Sequence, residues 1–195
     1  MPDLWISDDR CSLGPYRADL LKDYWRWEQD PLSMLGHGRR TPLTLERRKD
    51  WLDHQLKDDN QIRFTVYDLS AATPRPAGFT VLGLDHSRQT AEYALLIAPQ
   101  ARGKGLGRHA TRLTVDWGFH VSGLHMISLR VLTPHATARA IYRDCGFREV
   151  GRLRSAGMWL GARCDEDVMD MVAADFAGPS QVAPYVKRRL RGGAS

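Results

Sequence analysis

The sequence predicts one α+β domain in which helices flank a central mixed sheet. Strand-like and helix-like segments follow one another along the chain without an internal repeat. A length of 195 residues with 43% hydrophobic and 26% charged residues suits a single soluble domain. The clearest strand runs from Glu92 to Ala98 and stops at Pro99, which lacks the N–H that a sheet ladder needs. We expect the domain to cover residues 1–176 and a basic, flexible tail to follow over 177–195.

The first half of the chain predicts strands and two helices in a regular order. A short strand at Leu13–Tyr16 precedes a helix over Ala18–Gln29, which Asp30-Pro31 breaks. Thr44 is a suitable cap for a second helix over residues 45–57. Further strands are expected over residues 63–69 and 78–84, with a hairpin turn at 85–88 into the strand of Glu92.

The segment after Pro99 has the composition of a phosphate-binding loop. Three glycines permit positive φ and close backbone approach, and a helix is predicted to open at Leu106, where free N–H groups and the helix dipole favour an anion. The spacing matches neither the GxxxxGK[ST] loop nor the GxGxxG dinucleotide fingerprint. The basic residues that add charge here are Arg102, Lys104 and Arg108. A solvated glycine-rich turn is the alternative interpretation.

The second half predicts a strand over 125–132, a helix over 134–144 and strands over 147–154 and 167–173. The three cysteines, Cys11, Cys145 and Cys164, have neither disulfide nor metal-ligand spacing, and the histidines are scattered. We therefore expect no metal site.

Two motifs resemble the GNAT superfamily of N-acetyltransferases. Gln100-x-x-Gly103-x-Gly105 is similar to its Q/R-x-x-G-x-G/A signature, and the segment 131–154 resembles its second cofactor helix, with Tyr142 followed by Gly146-Phe147. The spacing between them resembles the bacterial spermidine and ribosomal-protein N-terminal acetyltransferase branch. The resemblance covers about residues 13–176 and implies a mostly antiparallel sheet with two splayed parallel strands.

The resemblance also implies acetyl-CoA as acyl donor and a set of residues that contact it. The backbone of Leu95, Leu96 and Ile97 would follow the pantetheine arm. The pyrophosphate would lie against Arg102, Gly103, Lys104, Gly105, Leu106 and Gly107. Weaker candidates on the second helix are His135, where the family commonly has Asn, with Arg139 and Arg143, whose alternative role is a solvated helix face.

Aminolysis of a thioester needs a neutral amine, a partner for the oxyanion and a proton for the departing thiolate. Glu92, at the start of the strand that leads to the loop, is the candidate base; a structural salt bridge is the alternative. The resemblance assigns Tyr142 as the acid, and packing beside Phe147 is the alternative.

The acceptor is expected to be a primary amine of a small metabolite, such as an amino acid, amino sugar or antibiotic-like amine. An acceptor with a carboxylate or phosphate near the amine fits best, because residues 34–49 contain five Arg or Lys and one acid, Glu46, which would repel a polycation. Alternatives are a protein N-terminus as acceptor, or an acyl-CoA-binding module without catalysis. The net charge of +5 is spread along the chain, so no nucleic-acid partner is expected. The sequence lacks membrane and secretion signals, which favours a cytoplasmic protein, and a homodimer is the base-rate expectation.

Overall fold

The computed structural model describes residues 3–184, which form an eight-stranded sheet flanked by helices. The strands are β1 (Ile6–Ser7), β2 (Cys11–Pro15), β3 (Gln61–Asp68), β4 (Arg75–Asp85), β5 (Thr90–Ile97), β6 (Met126–Leu132), β7 (Arg148–Trp159) and β8 (Ala162–Val172). Their spatial order is β1-β2-β3-β4-β5-β6-β8-β7. In this described sheet β5 and β6 are parallel and the other neighbours antiparallel, which confirms the predicted α+β fold.

The helices are α1 (Leu21–Glu28), α2 (Pro31–Gly36), α3 (Leu45–Gln55), α4 (Leu106–His120) and α5 (Ala136–Cys145). The Asp30-Pro31 pair was predicted only to break the first helix, but it also begins α2. The Asp30 carboxylate accepts the Ser33 N–H at 3.0 Å, and proline is tolerated at the first helical position because an N–H there has no acceptor within the helix. Thr44 accepts the Arg47 N–H at 3.3 Å, which confirms the predicted cap of α3.

Strands β7 and β8 are longer than predicted and form a hairpin. Most of β7 is solvent-exposed, including Val150 and Leu153, so it lacks the apolar alternation by which a sequence reveals a strand. As the edge strand it is held by backbone pairing with β8 on one side, which requires no buried side chains.

The last described segment packs on the domain. The Asp116 carboxylate, buried in α4, accepts the Ser180 hydroxyl at 2.7 Å and the Gln181 N–H at 2.6 Å, and Val182 is buried. The predicted tail therefore begins with a docked segment, while the basic cluster at 187–191 lies outside the described residues. Within residues 3–184, no helix is long and apolar enough to cross a membrane.

Candidate active site

The parallel strands β5 and β6 separate along the sheet and leave a gap. They pair from Thr90–Met126 to Glu92–Ser128, after which β5 continues to Ile97 and β6 to Leu132 without further pairing between them. The Ala98 N–H donates to the Ala77 carbonyl on the β4 side at 2.8 Å. Because the backbone groups of successive residues alternate between the two sides of a strand, those of Leu95 and Ile97 face the gap. The Ile97 carbonyl accepts from Arg102 Nε at 3.3 Å, and the other backbone groups along the gap suit an extended, amide-containing ligand.

The alternation of backbone groups along β5 places the three predicted pantetheine contacts on two different sides of the strand. Leu96 pairs with Phe79 on β4, and its carbonyl oxygen lies so close to Gly78 that a Cβ there would come within 2.2 Å of it. The backbone of Leu96 thus lies on the β4 side of the strand rather than at the gap.

The glycine-rich loop ends in the left-handed conformation that its glycines permit. Gly103 and Gly105 have φ of 75° and 79°, and Gly105 directly precedes α4. Among the described residues, the backbone N–H groups of residues 103–107 have no backbone acceptor. Consecutive free N–H groups at the start of a 15-residue helix are an arrangement that favours an anion, and the pyrophosphate cradle stays a prediction.

The basic side chains of this loop are engaged with carboxylates. Arg102 donates to Asp30 Oδ2 and Ser33 Oγ, both at 2.7 Å, and thereby ties the loop to α2. Lys104 Nζ lies 3.5 Å from Asp68 Oδ2, and Arg108 is paired with Asp144. In this arrangement the cradle consists mainly of backbone N–H groups.

Tyr142 is buried in α5 beside the same strands. Its ring contacts those of Tyr93 and Phe147, at centroid distances of 6.1 and 6.0 Å. Its hydroxyl forms no hydrogen bond within residues 3–184, and burial raises its pKa above the ordinary value of 10.0. The phenol therefore carries its proton at neutral pH and has that proton available for a ligand.

The other predicted residues of the second helix face different partners. The ring of His135 packs 5.4 Å from that of Trp159, and its pKa is lowered by burial and by Arg102. Arg139 forms an ion pair with the buried Asp167 at 2.7 Å, and Arg143 pairs with Glu149. Both arginines thus bind carboxylates of the β7–β8 hairpin.

Glu92 lies where β5 and β6 begin to separate. Arg130 on β6 binds both carboxylate oxygens, at 3.0 and 3.2 Å, and both side chains are about half-exposed. Side chains two residues apart on a strand point to the same face, so Glu92 shares its face of β5 with Ala94 and Leu96.

That face of β5 forms the floor of a cavity of ≈ 220 Å³, with Ala94 and Leu96 beside Phe79 and Val81 of β4. Its walls come from several elements and carry polar groups: Glu28, Ser33, His37, Arg39, Gln55 and Arg63. His37 and Arg39 also line a larger neighbouring cavity of ≈ 570 Å³ between α2 and the β7–β8 hairpin.

The polar wall has an excess of positive charge. Arg48, which is completely buried, donates to Glu28 at 2.7 Å, and Arg39 lies 3.7 Å from the same carboxylate. The His37 ring keeps contact with solvent in the cavity but is crowded by protein atoms, and this crowding together with Arg39 lowers its pKa to about 4. The imidazole is therefore neutral at pH 7.

These wall residues were not identified as site residues from the sequence. They belong to α1, α2, α3, β3 and the segment after α2, and only the fold brings them together. The available signal was the cluster of basic residues over 34–49, which contains Arg39 but not Arg63.

Comparison with known proteins relates the chain to spermidine acetyltransferases. The spermidine N(1)-acetyltransferase of Vibrio cholerae is 28% identical over 111 residues, covering 56% of this chain and 62% of that protein. The spermidine N(1)-acetyltransferase of Escherichia coli (strain K12) is 33% identical over 105 residues, covering 53% of this chain and 54% of that protein. The matched region thus spans little more than half the length of these relatives.

The fold is also similar to that of a spermidine acetyltransferase. The crystal structure of spermidine N-acetyltransferase from Vibrio cholerae in complex with CoA and spermine superposes with a TM-score of 0.81, covering 87% of this chain and 99% of that one at 22% identity. The model of the acetyltransferase (GNAT) domain matches residues 10–148, which is most of the chain. This match agrees with the separation of β5 from β6 and with the glycine-rich loop before α4. The chain belongs to the GNAT family of acetyltransferases.

Proposed function

We propose that the protein is an acetyl-CoA-dependent N-acetyltransferase that acetylates a primary amine of a small metabolite by direct attack in a ternary complex. The observation that carries this proposal is the meeting of three features at β5. These are the gap beside Leu95 and Ile97, the unpartnered hydroxyl of Tyr142 and the cavity over Ala94.

The chain offers partners for each part of acetyl-CoA. The N–H groups of residues 103–107 would hold the pyrophosphate, and the backbone of Leu95 and Ile97 would hold the pantetheine amides. When bound, acetyl-CoA supplies an activated acyl carbonyl and a thiolate leaving group. Arg102 connects its loop to α2, whose C-terminal end leads into His37 and Arg39, so the donor loop and the acceptor wall are mechanically linked.

Tyr142 is proposed to donate its hydroxyl proton toward the departing sulfur. It meets the first requirement of an acid, because its raised pKa keeps the phenol protonated at neutral pH. Its hydroxyl has no competing acceptor within the described residues, which leaves the proton free for the leaving group.

The acceptor must lose a proton before it attacks, because an alkylammonium with a pKa of about 10 is almost wholly charged at pH 7. His37 is a poor acceptor for that proton, since its own pKa is about 4. Glu92 is the proposed base, and it would act through water from its position next to Ala94 on the same face of β5.

Glu92→Gln is expected to lower kcat at pH 7 by about 100-fold with little change in acetyl-CoA affinity. The deficit should shrink as the pH approaches the pKa of the acceptor amine, because the neutral amine is then supplied by solution. Initial rates of CoA release between pH 6.5 and 10, together with a titration of acetyl-CoA binding, measure both effects.

Arg130→Gln is the matched control, since it breaks the same ion pair but leaves the carboxylate in place. It should retain most of the turnover. Equal losses in the two variants would make Glu92 a structural residue and remove it from the mechanism.

Two other functions have specific observations behind them. The ≈ 570 Å³ cavity beside the hairpin could admit a protein N-terminus, although the ≈ 220 Å³ cavity at β5 is smaller than the roughly 300–1,000 Å³ usual for drug-sized ligands and favours a small acceptor. A non-catalytic acyl-CoA-binding module would use the gap and the cradle without Tyr142. The homodimer and the cytoplasmic location stay predictions.

The first experiment measures release of free CoA from acetyl-CoA with a panel of amino acids, amino sugars, aminoglycosides, polyamines and short peptides. Turnover with a small amine supports the proposal, and turnover confined to peptides supports the protein acceptor. Binding of acetyl-CoA without turnover on any amine would leave the non-catalytic module.

A further inference from the structure

The cavity over β5 contains more cationic than anionic groups. Arg39, Arg48 and Arg63 lie in or behind its wall, and Glu28 is the acidic residue among its described lining. Glu28 is already engaged by Arg48 at 2.7 Å and approached by Arg39 at 3.7 Å. The neighbouring cavity adds Arg40 and one acid, Glu166. Both contacts are to Oε2 of Glu28, so the carboxylate is partly neutralised while the wall as a whole keeps an excess of positive charge.

Arg63 differs from the other arginines of this wall in forming no ion pair with a described carboxylate. Within residues 3–184 its Nε is buried without a hydrogen-bond partner, and its Nη2 donates to the neutral side-chain amide of Gln61. Its Cζ lies 5.7 Å from the centre of the Tyr16 ring, which supports the group without neutralising it. No carboxylate of residues 3–184 forms an ion pair with it. Burial lowers its pKa, yet a guanidinium keeps its proton at any physiological pH, so the charge persists in the cavity.

A partly buried charge without an ion pair is costly, and a planar guanidinium binds carboxylate or phosphate with two parallel hydrogen bonds. With Arg39, Arg48 and Arg63 in or behind it and Glu28 as its one described acid, the same wall disfavours a second ammonium group. We infer that Arg63, assisted by Arg39, forms an anion subsite, and that the acceptor is a small amine that also carries a carboxylate or phosphate. This inference rests on the proposed acetyl transfer, for which it specifies the substrate class.

The test uses pairs of acceptors that differ only in the anionic group, with the full chain and saturating acetyl-CoA. Each free amino acid is compared with its carboxamide, phosphoethanolamine is compared with ethanolamine, and spermidine is included. We expect the anionic member of at least one pair to have a kcat/KM at least tenfold higher. Arg63→Gln should raise its KM by about 10- to 100-fold and remove most of that preference.

Arg88→Gln is the control, because Arg88 is an exposed arginine in the turn between β4 and β5, paired with Asp85. It should leave the preference unchanged. The carboxylate and phosphate arms separately identify which anion the subsite takes. Arg63→Lys, which keeps the charge but loses the planar fork, should show an intermediate KM.

The outcomes separate the subsite from the proposed function. The subsite is overturned if spermidine or the neutral amines turn over at least as fast as the anionic ones. It is also overturned if Arg63→Gln lowers kcat/KM equally for both members of a pair. Either result leaves the proposed acetyltransferase activity intact. If nothing turns over, the same pairs are titrated calorimetrically into the CoA-loaded protein. Binding of the anionic member that is lost in Arg63→Gln then supports the subsite without the activity, and no binding overturns both.

Discussion

Tyr142→Phe is expected to lower kcat by about 100-fold or more while the dissociation constant for acetyl-CoA and the free energy of unfolding stay close to their original values. General acid catalysis typically contributes about 10²–10⁴ in rate. The Tyr142 hydroxyl has no hydrogen-bond partner within residues 3–184, so its removal leaves no buried group unsatisfied. A stability measurement by urea denaturation and single-turnover kinetics with acetyl-CoA test the two parts of this expectation.

Tyr93→Phe is the matched control for Tyr142→Phe. The two rings are 6.1 Å apart, and the Tyr93 hydroxyl donates to Thr111 at 3.0 Å, so its role is structural. The control should lose some stability and keep most of its turnover. If Tyr142→Phe turns over acetyl-CoA as fast as the unaltered protein, Tyr142 is a packing residue and the proton comes from elsewhere. Because the pKa of Tyr142 is raised, any alkaline decline in kcat below pH 10 belongs to another group.

The fold could be predicted where local sequence and tertiary structure require the same conformation. The strand before Pro99, the glycine loop and α4 agree with the prediction because a sheet must end at that proline and a positive φ requires those glycines. The start of α2 was missed because Asp30-Pro31 indicates both the end of one helix and the start of the next. The length of β7 was missed because its stability comes from pairing with β8 rather than from buried side chains.

The sequence predicts the backbone arrangement of the candidate site more readily than the partners of its charged side chains. A glycine motif before a helix exposes backbone N–H groups whatever the neighbouring side chains are. The role of an arginine depends instead on whether the fold places a carboxylate beside it. Arg102 and Arg139 were predicted to contact the cofactor, and folding places Asp30 beside one and Asp167 beside the other. Arg63 was overlooked for the converse reason, since an ordinary strand arginine becomes notable only where the fold leaves it without a carboxylate.

Glu28→Gln is expected to lower the free energy of unfolding by about 3–5 kcal/mol, the usual cost of removing one partner of a buried ion pair. Glu28 is 7% exposed and Arg48 is completely buried, and their ion pair joins α1 to α3 across the wall of the acceptor cavity. Glutamine keeps the shape of the side chain but leaves Arg48 with neutral partners, the Tyr16 hydroxyl and Gln55. Urea denaturation measures the loss, and Glu46→Gln, on an exposed acid of α3, should change stability by less than about 0.5 kcal/mol.

The double variant Glu28→Gln/Arg48→Met determines whether the loss comes from the charge that remains. Replacing a buried pair by groups of similar volume is often close to neutral, so the double variant should recover part of the stability that Glu28→Gln loses. The single variant Arg48→Met completes the comparison. If the double variant loses as much stability as the two single variants together, Glu28 and Arg48 stabilise the protein independently and their attraction contributes little. A loss below about 1 kcal/mol for Glu28→Gln would show that water already screens the pair, and that the positive charge attributed to the acceptor cavity is correspondingly weaker.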